Sequence, residues 1–346
     1  MGTTVLMGIF VTVLAGLVMG TSPWPLKLMR QFKYEQFAFV SMLVALIVIP
    51  WAITLTFCPN IFTALGAVDF KVILKSNLFS LSWGIAQVLA LLCFVRIGVS
   101  LTYGILVAIA ASVGVTMPMV FKASGVFEGA PALTSKAGLA VLCGVVIMLL
   151  GVLFASLSGF GREKSLRSKG ENKGGFGVGL VMVILAGVLA TGWGFAFAYS
   201  QGPIIEAVKA QGAADYPANI AVWAVALFGA AFVNLVYPAY LMTKNKSWNV
   251  LAANGKEIVL SIIYGILFFI PSALLGKGML LLGALGASVG VGVQQSMQML
   301  GGQALGFVSG EWKGVTGKPR TQIYIAIVLL IIATVIMAFG NSLATK

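Results

Sequence analysis

Long apolar runs, separated by short polar stretches, make up most of the chain. The runs are continuous and close to 20 residues long, the length that an α-helix needs to cross roughly 30 Å of hydrocarbon. Strands of a membrane barrel would instead alternate apolar and polar positions over about ten residues. The pattern therefore predicts ten membrane-spanning helices, at residues 3–22, 36–57, 78–95, 98–121, 136–157, 176–199, 218–242, 257–276, 280–308 and 321–342.

The composition excludes an ordinary water-soluble fold. Of the 346 residues, 60% are hydrophobic and only 9% are charged, and the mean hydropathy is +1.03. Soluble domains carry about 25% charged residues. We therefore predict an all-α integral membrane protein without a separate soluble domain, since the predicted loops are too short to hold one. The first apolar run lacks the basic segment that precedes the core of a signal peptide, so we assign it to a membrane helix.

The basic residues are distributed unevenly between the two sides of the membrane. The net charge is +13, and about two thirds of the 22 Lys and Arg residues follow predicted helices 1, 3, 5, 7 and 9. By the positive-inside rule these loops are cytoplasmic, which places both termini outside. Basic loops at a membrane face anionic lipid head groups, so the positive charge does not require a nucleic-acid partner.

Short motifs recur in the same order in the two halves of the chain. Trp83-Gly84-Ile85 precedes Arg96 by thirteen residues, and Tyr264-Gly265-Ile266 precedes Lys277 by thirteen. We expect Arg96 and Lys277 to mark tight turns after predicted helices 3 and 8. Three further pairs follow the same order: Leu14-Ala15-Gly16 with Leu185-Ala186-Gly187, Pro50 with Pro238, and Ser124-Gly125 with Ser309-Gly310.

These echoes predict two repeats of five helices, at residues 1–158 and 176–346. Because five is an odd number, the second repeat must enter the membrane in the opposite direction, and inverted repeats of this kind are common in secondary transporters. Residues 159–175 between the repeats are glycine-rich and basic, which indicates a flexible cytoplasmic linker.

Uncharged polar and aromatic side chains inside the predicted helices are the candidates for binding a solute. Amides offer donors and an acceptor to hydroxyl groups, and aromatic rings cover the apolar face of a sugar. Each could instead join two helices, which is worth about 0.6 kcal/mol on average. Helical spacing places Trp83 with Gln87 on one face and the three glutamines near residue 295 in one stripe. The candidates are Trp83, Gln87, Tyr103, Trp193, Asn234, Gln294, Gln295 and Gln298.

Acidic residues are absent from the centres of the predicted helices. If a proton drives transport, Glu206 is the first candidate carrier and Glu35 the second, although either could be a solvated carboxylate at the rim. Sodium coupling through Asn234, serine hydroxyls and backbone carbonyls stays open. The chain has no histidine, its three cysteines have no metal-binding spacing, and no nucleophile neighbours a base. We therefore predict no metal, no cofactor and no enzymatic activity.

Several short motifs in a fixed order resemble the bacterial L-rhamnose–proton symporter family of the drug/metabolite transporter superfamily. The resemblance implies ten helices in two inverted five-helix repeats around a central cavity. It also implies proton-driven uptake of a deoxyhexose across the inner membrane, with the termini then periplasmic. The motifs are Met7-Gly8-Ile9-Phe10, Pro50-Trp51-Ala52-Ile53, Trp83-Gly84-Ile85, Gly98-Val99-Ser100, Glu206-Ala207, Asn234-Leu235, Gly301-Gly302, Glu311-Trp312 and Lys318-Pro319-Arg320.

From the residues and the resemblance together, we predict a secondary transporter for a neutral monosaccharide, with L-rhamnose as the first candidate substrate. Its cavity is expected between predicted helices 3, 4, 6, 8 and 9, opening to the two sides in turn. Two alternatives stay open. One is an exporter or exchanger of drugs or metabolites, and the other is a non-catalytic membrane subunit that binds another chain through its intramembrane amides.

Overall fold

The computed structural model describes residues 2–97, 99–122, 124–166, 176–310 and 312–344, and these residues form helices without any strand. Short 3-10 turns at Trp24–Leu28, Gly125–Phe127 and Gly283–Leu285, and π-helical turns at Val44–Val48 and Gly286–Gly290, interrupt or join them. The α-helices are α1 Thr3–Thr21, α2 Tyr34–Leu43, α3 Ile49–Phe57, α4 Ile61–Ala67, α5 Phe70–Ile97, α6 Val99–Val120, α7 Lys136–Leu166, α8 Phe176–Ala190, α9 Gly192–Ala210, α10 Asp215–Ala226, α11 Phe228–Lys244, α12 Trp248–Ala253, α13 Gly255–Leu282, α14 Val291–Val308 and α15 Lys318–Ala344.

Within the described ranges, seven helical segments are long and apolar enough to cross a membrane, and the pair α10–α11, bent by 49°, would make an eighth. Large apolar side chains on their outer faces are more than half exposed, including Phe10, Val146, Val181, Phe232 and Val335. Such a surface is stable only against lipid. The prediction of an all-α integral membrane protein is confirmed. The seven segments are Thr3–Leu28, Tyr34–Phe57, Phe70–Ala90, Lys136–Arg162, Gly177–Ala210, Gly255–Val308 and Lys318–Gly340.

Several predicted helices are broken rather than continuous. The sixth breaks at Thr191 between α8 and α9, and the seventh breaks at Leu227 between α10 and α11. The expected turn at Lys277 is wrong, because α13 continues through this lysine to Leu282. The chain turns instead at Gly283, whose φ of 71° is a left-handed conformation that glycine adopts at little cost.

The described helices also differ in length from the predicted ones. α5 begins at Phe70, and α9 continues to Ala210. α7 continues to Leu166, so the first eight residues of the predicted linker, 159–166, are helical. The rest of that linker, residues 167–175, lies outside the described residues.

Asn77 of α5 holds the bend between α10 and α11. Its amide nitrogen donates to the carbonyl oxygen of Val225 at 3.1 Å, and its amide oxygen accepts from the backbone N–H of Gly229 at 2.8 Å. The Ser80 hydroxyl accepts from the backbone N–H of Ala230 at 3.3 Å. A helix break leaves backbone groups without intrahelical partners, and these two side chains supply the missing partners.

Replacing Asn77 with leucine should destabilise the fold by about 2–6 kcal/mol, because two backbone groups at the bend lose their partners at about 1–3 kcal/mol each. The melting temperature of the detergent-solubilised protein measures this loss. Leu74→Ala, at an exposed position on the same helix, is the control and should change stability by less than about 0.5 kcal/mol. An unchanged melting temperature for Asn77→Leu would contradict the role assigned to Asn77.

The helices pack in a regular order around the centre of the bundle. α1 packs on α13 and α14, while α8 packs on α5 and α6, and α9 packs on α5. α2 contacts α11 and α13, and α11 also contacts α5. α7 and α15 form the most extensive contact between two helices. The largest buried side chain, Trp223, lies in an apolar cluster with Phe197, Trp83 and Phe268.

Candidate functional site

A small cavity lies where the broken helices meet. Its walls come from α6, the break between α8 and α9, the end of α13, and α14 with the π-helical turn before it. Its volume is about 30 Å³, which is room for about one water molecule. A larger solute can enter only if these helices move apart. The lining residues are Ala110, Gly114, Pro118, Ala190, Thr191, Trp193, Gly194, Phe195, Leu275, Ala287, Val291, Gln294 and Gln295.

Three of the predicted site residues line this cavity, namely Trp193, Gln294 and Gln295. The break at Thr191 places Trp193 in the first turn of α9, next to Gly194, which approaches Val291 of α14. The Gln294 side chain is 4% exposed and donates from its amide nitrogen to the amide oxygen of Gln298 at 3.0 Å. Gln298 itself lies outside the lining and holds Gln294 in place.

Three aromatic rings pack around Trp193 in tilted or edge-on arrangements. The Trp193 ring centroid lies 4.6 Å from that of Trp83, 5.0 Å from that of Trp223 and 5.7 Å from that of Phe268. Trp83 is 6% exposed and is absent from the lining, so it forms a second layer. Gln87, one turn further along α5, is half-buried and is also absent from the lining. Predicted helix 3 therefore supports the wall from behind.

One other predicted site residue, Asn234, is not brought to the cavity. Asn234 is 2% exposed and donates to the carbonyl oxygen of Ala230, in its own helix, at 2.9 Å. It is absent from the lining. The side chain of Tyr103 lies outside the described part of the structure.

The two predicted proton carriers have different environments. Glu206 is exposed near the end of α9, as a solvated rim carboxylate would be. Glu35 is 5% exposed at the start of α2, and its carboxylate accepts from the Asn245 side-chain amide at 3.0 Å and the Ser247 hydroxyl at 3.5 Å. Of the two, only Glu35 is a buried carboxylate.

A third carboxylate, Glu257, which the sequence did not indicate as a site residue, is also buried. It is 7% exposed in the first turn of α13. It accepts from the backbone N–H groups of Arg30 at 2.7 Å and Gln31 at 2.9 Å, and also from that of Phe32. No local pattern could have indicated this, because the partners are more than 220 residues apart in sequence. Glu257 ties the loop between α1 and α2 to α13, about 27 Å along α13 from Leu275 in the cavity wall.

An all-helical bundle with several membrane-spanning segments, and with a mostly apolar cavity that carries a few uncharged polar side chains between broken helices, is typical of a polytopic membrane transporter. The chain belongs to the family of the L-rhamnose-proton symport protein (RhaT), whose family model matches residues 1–343. The family resemblance seen in the sequence is confirmed, and the family consists of transporters rather than enzymes.

Named relatives match along the whole chain. The L-rhamnose-proton symporters of Escherichia coli O1:K1 / APEC, Shigella dysenteriae serotype 1 (strain Sd197) and Shigella boydii serotype 18 (strain CDC 3083-94 / BS512) are similar to it. Each is 24% identical over 349 residues, covering 98% of this chain and 99% of the relative.

Proposed function

We propose that this protein takes up L-rhamnose, or a closely related neutral monosaccharide, together with a proton across the bacterial inner membrane. The observation that carries the proposal is the cavity between the broken helices, lined by Trp193, Gln294 and Gln295 without any charged side chain. An indole face suits the apolar face of a sugar ring, and the amides suit its hydroxyl groups. The full-length family match supports the same substrate class.

The size of the cavity supports an alternating-access mechanism. At about 30 Å³ the cavity is much too small to hold a sugar. Glu257 and its three backbone donors join segments at one end of the bundle. We propose, from the positive-inside rule, that this end faces the cytoplasm and that both termini are periplasmic. Entry of the sugar therefore requires α9, α13 and α14 to separate, and its release requires the Glu257 end to open.

We further propose ten membrane crossings. The segment Gly255–Val308 has 54 residues, or about 80 Å of helix, enough to cross the membrane twice. Its two parts, α13 and α14, both pack on α1, as two neighbouring crossings would. The bent pair α10–α11 and the shorter apolar helix Ile105–Val120 add two crossings. The second crossing of Gly255–Val308 adds one more, so the seven candidate segments become ten crossings.

The arrangement of two inverted repeats, at residues 1–158 and 176–346, is supported by helix contacts that exchange between the halves. Predicted helix 1 (α1) packs on predicted helices 8 and 9 (α13 and α14). Predicted helix 6, through α8, packs on predicted helices 3 and 4 (α5 and α6). The matched glycines follow this exchange. Gly16 approaches Met297 of α14 and Gly187 approaches Ile109 of α6. Gly84 approaches α11 and Gly265 approaches α2 in the same reciprocal way.

Uptake into proteoliposomes tests the function. The purified protein should accumulate labelled L-rhamnose when an inward proton gradient is imposed, and a proton ionophore should abolish the accumulation. Accumulation driven by a sodium gradient instead would identify sodium as the coupling ion. Failure to accumulate rhamnose or any other neutral monosaccharide of a panel under either gradient would favour the exporter or the partner subunit and would overturn the proposal.

We propose Glu35 as the proton carrier rather than Glu206, because Glu35 is buried among polar partners and Glu206 is exposed. Glu35→Gln should reduce proton-driven accumulation at least about tenfold and leave rhamnose exchange at equal pH nearly unchanged, since the neutral amide removes only the titrating group. Measuring both modes in the same proteoliposomes separates coupling from binding. Glu206→Gln is the matched control and should retain both activities. Full accumulation by Glu35→Gln would eliminate Glu35.

A further inference from the structure

Two polar side chains on α10 are fully buried without partners. Asn219 and Trp223 lie one helical turn apart, on the same face, and each is 0% exposed. Within the described ranges, neither the amide nitrogen nor the amide oxygen of Asn219 has a hydrogen-bond partner, and neither does the indole nitrogen of Trp223. By contrast, the amide nitrogens of Asn77 and Asn234 are both hydrogen-bonded. Buried polar groups are nearly always paired, so three unpaired atoms in one place need an explanation.

Two of these three atoms, the Trp223 indole nitrogen and the Asn219 amide oxygen, converge on one point of α13. A methyl carbon added at Gly276 would lie 2.7 Å from the indole nitrogen of Trp223 and 2.9 Å from the amide oxygen of Asn219. Because position 276 is glycine, the polar atoms approach the α13 backbone closely. Any larger side chain there would cover them.

This point lies directly behind the cavity wall. Leu275, the residue before Gly276, lines the cavity. The Trp223 ring lies against that of Trp193, another lining residue, with the ring centroids 5.0 Å apart and the planes tilted by 34°. A small separation of α10 from α9 and α13 would therefore join Asn219 and Trp223 to the cavity, and the 49° bend after α10 makes α10 a separate short segment.

We propose that Asn219 and Trp223 form a second level of the substrate site, which binds sugar hydroxyl groups when α10 separates from α13. The proposal rests on the sugar transport proposed above. The amide donates and accepts, and the indole N–H donates, which matches the alternating donors and acceptors of two neighbouring hydroxyl groups. In the closed conformation these groups have no partner, and in the open one the sugar satisfies them. Hydrogen bonds between the sugar and these two side chains would therefore favour the conformation that admits the substrate.

Asn219→Leu separates this role from a structural one. Leucine has a similar size and no polar atoms, so the melting temperature without sugar should stay equal or rise, because an unpaired buried amide is removed. The KM for rhamnose uptake into proteoliposomes should rise at least about tenfold, and the increase in melting temperature on adding rhamnose should be lost. Asn77→Leu, which removes a paired amide, is the matched control and should lower the melting temperature instead.

Trp223→Phe, which removes the indole N–H and keeps an aromatic ring, provides a second variant should Asn219→Leu not fold. It should raise the KM at least about fivefold. Wild-type protein that accumulates rhamnose, together with variants whose KM is unchanged, would overturn this inference and leave the proposed function standing. That result would assign the space to a structural water. Wild-type protein that neither accumulates rhamnose nor is stabilised by it would overturn both.

Discussion

Rhamnose uptake should fall at least about twentyfold when Gln294 is replaced by alanine, while the amount of protein in the membrane stays the same. Gln294 lines the cavity and is 4% exposed. Its nitrogen is already bonded to Gln298, so its amide oxygen and second N–H are directed by that bond and stay available to a hydroxyl group. A buried sugar hydroxyl that loses its hydrogen bond to Gln294 costs about 1–3 kcal/mol. A loss of about 1.4 kcal/mol corresponds to a tenfold decrease in affinity.

Comparison with two other glutamines on α14 makes this prediction specific. Gln298→Ala should have a smaller effect than Gln294→Ala, because Gln298 lies outside the lining and acts by holding Gln294. Gln303→Ala is the control, since nine residues from Gln294 correspond to about half a turn on the helix, away from the cavity. Uptake and immunodetected abundance in the same membrane vesicles measure the effect. Normal uptake by Gln294→Ala would remove the glutamine stripe from the site.

The membrane class and the positions of most helices could be predicted from the sequence because both depend on composition and length. In lipid, a continuous apolar run of about 20 residues can satisfy its own backbone hydrogen bonds only as a helix. The breaks inside the helices could not be predicted in the same way. Thr191 and Leu227 break helices without any proline, and the bend after α10 depends on Asn77, which is about 150 residues distant in sequence.

The candidate site could be predicted only in part, for a similar reason. Helical spacing identified the glutamine stripe, which is a local property of α14. Glu257 was missed because its partners lie in another loop. Asn219 and Trp223 were missed although their i,i+4 spacing is the same as that of Trp83 and Gln87, which was used. Spacing of this kind indicates a shared face, but only the packing of α13 reveals that this face lacks partners.

Substituting alanine for Gly20 should abolish uptake and lower stability by about 3 kcal/mol or more. Gly20 lies where α1 crosses α14. A methyl group there would overlap the backbone oxygen of Gln298 and lie 2.7 Å from the backbone nitrogen of Gly302 and 2.9 Å from the Cα of Gly301. Overpacking against side chains costs about 1–3 kcal/mol because they can turn away. Here all three atoms belong to the backbone, so α1 and α14 must separate as whole helices.

Gly302→Ala is the matched control for this prediction. It lies at the same helix crossing, but its nearest neighbour would be the backbone oxygen of Gly20 at 3.7 Å, an ordinary contact distance. We expect this variant to keep uptake within about twofold and to melt normally. α14 carries Gln294 and Gln298. If α14 is pushed away from α1 at Gly20, the cavity wall therefore moves and the packing of the two helices is lost. Equal behaviour of the two variants would mean that the close crossing of α1 and α14 does not hold the site, whereas loss in Gly20→Ala alone would link this helix contact to transport.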